Sequence, residues 1–127
     1  MHLRSLSSAL MTVEQMLMDM EAALLSQNKG CSYEVVRDVE NDTIRTNLTF
    51  IAEARKKLCI MASKYETKKY SQSLRKIINA KKSRIWEILM DMKPKKQKGF
   101  GEFPKELAKE FENDLEELLG ITENISC

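Results

Sequence analysis

The 127-residue sequence predicts an all-α protein, a bundle of four to five helices with long antiparallel helices, and three observations carry that expectation. Apolar residues recur at three- and four-residue steps in separate stretches, the spacing that gathers them on one face of a helix. Only 4 Gly and 2 Pro are present and turn dipeptides are sparse, which leaves long uninterrupted segments rather than hairpins. Hydrophobic residues at 43% and charged residues at 31% suit a folded chain of a length that buries one modest core without disulfides or metals. A single helical domain over residues 1–127 is expected.

The first helix is predicted from Leu6, Leu10, Val13, Leu17, Met20 and Leu24, and Asn28, Lys29 and Gly30 stop it. Glu14, Asp19 and Glu21 interrupt this segment, so it reads as neither a signal peptide nor a membrane span. Without a secreted context the sequons at Asn41, Asn47 and Asn124 carry no weight. Ser32 is the N-cap expected for a second helix carrying Val35, Val36 and Val39, then Ile44, Leu48, Ile51, Leu58 and Ala62, with a kink or break at Asn41 to Thr43 where the stripe drifts.

Between Tyr65 and Ser73 the pattern turns polar, and Leu74, Ile77, Ile78, Ile85, Ile88, Leu89 and Met92 then set a third helix. "KPKKQKGFGEF", with Pro94, Gly99 and Gly101, is the expected basic linker near residues 93–102. In the last helix Pro104 suits the first helical position, acidic residues crowd the N-terminal part, and Gly120 is the expected C′ residue. Leu107, Phe111, Leu115, Leu118 and Leu119 form its expected buried stripe, covering a core made by the longer helices.

The net charge of +2 hides a strong polarity. Residues 55–98 hold 15 of the 21 basic residues against three acids, and the flanking segments are net acidic. Such asymmetry speaks to partners. Lys64, Lys68, Lys69, Arg75, Lys76, Lys81, Lys82 and Arg84 are candidates for a nucleic-acid backbone site or for contact with an acidic partner. The same residues also read as a solvated face, partly neutralised by the acidic last helix. Tyr65, Tyr70 and Trp86 are too few to support base stacking along a single strand.

No catalytic, metal-binding or cofactor site is expected, and the chain reads as a non-enzyme. His2 is the sole histidine, no E-x-x-H pair exists to build a di-metal bundle, and Cys31, Cys59 and Cys127 are isolated and odd in number. The cysteines fit a reducing compartment. "LEELL" at Leu115 to Leu119 matches a short groove-docking helix pattern, although the same spacing serves a core. Met11, Met16, Met18, Met20, Met90 and Met92 could likewise fill a core or make an adaptable surface. Trp86 with Met90 is the candidate subunit interface, since tryptophan is enriched where partners anchor.

"YSQSLRKIINAKKSRIWEILMDMKPK" followed by "PKELAKEFENDLEELL" resembles the helical domain of GINS subunits, especially the archaeal ones. Ile77, Ile78, Lys81, Arg84, Ile85, Ile88 and Leu89 occupy the places of that pattern, with Lys81 where the family often shows Arg. The resemblance covers the C-terminal half, and the first half agrees in the order of its helices. The family usually carries a small β-rich domain as well, and nothing after Gly120 could form one, so the resemblance implies a reduced or truncated member.

It also implies a function. GINS subunits pack into a tetrameric complex that binds the MCM replicative helicase and a RecJ-like partner at replication forks. The chain would then be a structural subunit of a DNA-replication assembly, a homo- or hetero-oligomer in the cytoplasm of a prokaryote or the nucleus of a eukaryote. Its basic segment would face DNA or an acidic helicase surface. A nucleic-acid-binding helical module using residues 55–98 and a helical protein–protein adaptor are the alternatives.

Overall fold

The computed structural model describes residues 3–93 and 105–127, and among them the protein is all-helical. Its four helices are α1 (Leu3–Leu25), α2 (Asn41–Lys64), α3 (Leu74–Asp91) and α4 (Lys105–Glu123). The basic linker expected beyond Lys93, the residue Pro104 and His2 lie outside the described residues. The chain divides into two compact units, residues 1–70 and 71–127, the first pairing α1 with α2 and the second pairing α3 with α4.

In the first unit Ile51 and Leu58 of α2 are buried, and Leu6, Leu10, Leu17 and Leu24 of α1 are half-buried. Two of the expected α1 stripe residues, Val13 and Met20, are exposed, because a two-helix unit offers each helix a single neighbour and covers a narrower arc than a full bundle does. Contacts along the pair run in reverse order. The Lys68 backbone N–H donates to the buried Ser7 hydroxyl at 2.9 Å, and the Arg55 guanidinium meets the Glu21 carboxylate at 3.0 Å.

The second helix does not begin at Ser32. Residues 32–40 are non-helical, and α2 starts at the Asn41 to Thr43 break, with Glu40 as its extended N-cap and Asp42 in the first turn. A small non-helical closure displaces the helix: Gly30 N–H donates to the Tyr33 carbonyl at 2.7 Å and Val35 N–H to the Asn28 carbonyl at 2.8 Å. β-branching at Val35, Val36 and Val39 lowers the helix propensity of this non-helical segment. Arg37 then reaches back, its guanidinium donating to the carbonyls of Ala23 at 2.6 Å and Ser26 at 2.9 Å and also to that of Leu24. These are carbonyls that a helix C-terminus leaves without an internal partner, and a cation there also opposes the helix dipole.

At its other end α2 closes in a Schellman motif, with Glu66 N–H donating to the Ser63 carbonyl and Thr67 N–H to the Ala62 carbonyl. Glu66 therefore holds a left-handed φ of 50° where glycine is the usual occupant. Glu66→Gly is expected to stabilise the first unit by about 0.5–1 kcal/mol, because the left-handed conformation costs a residue with a β-carbon more than it costs glycine. Denaturant titration reads the change, and a lowered midpoint would refute this account of the turn.

The second unit has a thin core of Leu89, Leu115 and Leu119, with Met90, Met92 and Phe111 packed against it. Ser73 caps α3, its hydroxyl accepting from Lys76 N–H. Two expectations for α4 fail. Leu107 and Leu118 are exposed, not buried, because α4 turns only its Leu115 and Leu119 side to α3. Gly120 is also not a C′ residue: α4 continues through it to Glu123. Glycine inside a helix costs roughly 1 kcal/mol, and packing of the flanking turn overrides so small a preference. The Lys82 ammonium donates to the Glu123 carbonyl at 2.8 Å and so takes up one of the terminal acceptors.

Candidate functional site

Of the eight basic candidates, Lys64, Lys68 and Lys69 belong to the first unit, and Arg75, Lys76, Lys81, Lys82 and Arg84 to the second. Lys64 closes the last turn of α2, and its ammonium lies 5.4 Å from the centre of the Tyr65 ring, while that of Lys68 lies 5.4 Å from the Tyr70 ring. Each cation is thus partly satisfied by an aromatic face beside it.

The five basic residues of α3 do not share one face. At about 100° per residue they spread around its circumference, with Lys82 turned toward α4 and Arg84 and Lys76 turned elsewhere. Lys82 is half-buried and bonded to Glu123, and Arg84 pairs with Glu87 of its own helix at 3.2 Å. Among the described residues Lys69, Arg75, Lys76 and Lys81 make no ion pair, and none joins α3 to α4. Of these side chains Lys82 bonds to α4, through the Glu123 backbone carbonyl, and among the described residues no α3 cation forms an ion pair with a carboxylate of the acidic last helix.

Apolar exposure is the more general feature. Among the described residues five hydrophobic side chains are buried, whereas twenty-one large ones are exposed, fifteen of them on the four helices and six outside them. On α3 these are Leu74, Ile77, Ile85, Trp86 and Ile88, and on α4 Leu107, Leu118 and Ile121. Between α1 and α2 an apolar groove of about 500 Å³ is lined by Leu17, Met20, Leu24, Phe50 and Ile51 with small residues between them.

The candidate interface pair separates. Trp86 is exposed beside a hollow of about 590 Å³ that it shares with Asn79, Lys82, Ser83, Glu87 and Glu123. Met90 is half-buried and packs on the Leu89, Leu115 and Leu119 cluster. That cluster also takes up the first and last leucines of "LEELL", which leaves only Leu118 of the pattern exposed. Met16, Met18 and Met20 are exposed on α1, so these methionines form surface and not core.

Sequence reasoning missed Ser7 and Arg37. A buried serine and an arginine that closes a helix from 11 to 14 residues away leave no periodic signal. Among the described residues no group of three or more His, Cys, Asp or Glu side chains could hold a metal, and Cys31, Cys59 and Cys127 are exposed free thiols. No described helix is long and apolar enough to cross a membrane. No protein-family model, characterised protein or solved structure matches the chain.

Proposed function

We propose that the chain is a non-enzymatic helical subunit of a larger protein assembly, and that the assembly is the GINS-like, helicase-associated one that the sequence pattern of residues 70–119 resembles. The supporting observation is the exposure of large apolar side chains on every helix. Isolated exposed leucines are ordinary, but several exposed apolar residues on each of α1, α3 and α4, beside so thin a core, are the mark of surfaces that other protein covers. The basic α3, which among the described residues forms no ion pair with α4, would meet an acidic surface or the DNA backbone at the rim of such contacts.

Capture of partners by the tagged protein from lysate of its source, with nuclease treatment and a salt series, tests the reading. Retention of MCM-type helicase and RecJ-like components after nuclease digestion is the expected result. Material lost to nuclease and to modest salt would instead assign the function to direct phosphate contact by Lys69, Arg75, Lys76 and Lys81, since phosphate binding releases counterions and weakens steeply with salt.

A further inference from the structure

In the first unit the open groove continues into an apolar stripe on one side of the α1–α2 pair. At about 100° per residue, Met20, Met16 and Ala23 lie roughly 60°, 100° and 120° round α1 from Leu17. Ala54, Phe50 and Lys57 lie at the same three angles, in the same rotational sense, round α2 from Ile51. Met20, Ala23, Phe50 and Ala54 line the groove, so that sense leads to the groove side of both helices. Val13 and Met16, both exposed, carry the stripe on along α1, and the half-buried Met61 carries it on along α2.

The rims of the groove bear opposite charges at one level. Glu21 meets Arg55 across the pair, and Ser7 meets Lys68 within one residue of the same register. Each residue forward on α1 is one residue back on α2, which sets Asp19 level with Lys57 and Thr12 level with Lys64. Asp19 lies about 160° round α1 from Leu17, just beyond Ala23, so an exposed acid stands on the α1 rim and an exposed base, Lys57, on the α2 rim. Both sit at the middle of the stripe, which runs from the level of Phe50 to that of Val13. Among the described residues neither makes an ion pair. Glu53, the other acid on the α2 rim, is level with Ala23 and so has no charge opposite it.

We propose that a second copy of the chain covers this groove about a twofold axis parallel to the helices, with α1 of each protomer lying on α2 of the other. The inference rests on the assembly reading for its premise that apolar faces of this chain are covered by protein. Rotation about such an axis preserves level, so Asp19 of each copy meets Lys57 of the other, and Met20 falls within two residues of Ala54, whose small side chain leaves it room. The contact is thus complementary to itself, as an isologous interface requires. The other isologous choice, an axis across the helices, lays α1 on α1 and α2 on α2. Because Asp19 and Lys57 sit at the middle of the stripe, that choice sets Asp19 on Asp19 and Lys57 on Lys57. Charge therefore selects the first arrangement and makes the chain a fitting partner for its own groove.

The test uses purified full-length protein and the variants Asp19→Lys and Lys57→Glu, both at exposed positions. By light scattering the wild type should run at about 29 kDa, twice the 14.7 kDa of one chain. Each variant alone sets like charges together at both symmetry-related contacts and should weaken dimerisation by at least roughly fivefold. Mixed in equal amounts, or combined in one chain, the two substitutions should restore it, because every Asp19 to Lys57 contact then joins opposite charges again. Unchanged circular dichroism for each variant alone separates lost association from lost folding, and rescue is a signal that misfolded chains do not give. A wild-type monomer at the highest soluble concentration, or a dimer indifferent to both reversals, overturns the proposal. A monomer that still captures partners from lysate leaves the assembly reading standing, whereas a dimer that captures none removes that reading and keeps this contact.

Discussion

Leu115→Ala is expected to destabilise residues 71–127 by about 2–3 kcal/mol, a large share of what so small a helical unit can have. Leu115 is 2% exposed and sits at the centre of the cluster with Leu89 and Leu119. Truncation removes three heavy atoms' worth of buried apolar surface and leaves a gap. The two helices can partly close that gap, which places the cost at the lower end of the range for buried leucines. Leu107→Ala is the matched control. Sequence periodicity puts both residues on one buried stripe, but Leu107 is 51% exposed, and its truncation should shift stability by less than about 1 kcal/mol. Amide exchange across α3 and α4 measures both substitutions. Equal losses would mean that α4 buries the stripe read from sequence and not the one described here.

Arg37→Ala should destabilise the first unit by about 1–2 kcal/mol and fray the last turn of α1, since three backbone carbonyls lose a charged donor together. The effect is local. Faster amide exchange is expected for residues at the C-terminal end of α1, with little change in the interior of α2. Lysine at this position should restore only part of the loss, because a point-like ammonium cannot reproduce the planar fork that reaches several acceptors at once. Unaltered exchange at the end of α1 in Arg37→Ala would show that water serves those carbonyls equally well.

Both expectations turn on features unequally visible in the linear chain. The existence of four helices was legible, because side-chain periodicity is a local property and the chain offers few Gly or Pro to interrupt it. The start of α3 was legible for the same reason: the polar run ends at Ser73, whose hydroxyl needs only the next three residues to act as a cap. The break near Asn41 showed as a drift in the apolar stripe, although the non-helical course of residues 32–40 did not. That course depends on Arg37 meeting the end of α1, a contact between residues 11 to 14 apart that no periodicity encodes.

The basic candidates were legible as residues and not as a site. Composition placed Arg75, Lys76, Lys81, Lys82 and Arg84 on one helix, but only their angular positions reveal that they surround it, with Lys82 drawn to Glu123 and Arg84 to Glu87. The same distinction governs the apolar residues. The sequence by itself determined that this protein is helical, polarised in charge and rich in apolar faces, since each follows from residue types at short spacing. Which face of α3 and of α4 is buried was decided by tertiary structure alone: both helices carry adjacent apolar stripes, and only the direction in which one helix meets the other selects Leu89, Leu115 and Leu119 for the core and leaves Ile85, Ile88, Leu118 and Ile121 facing outward.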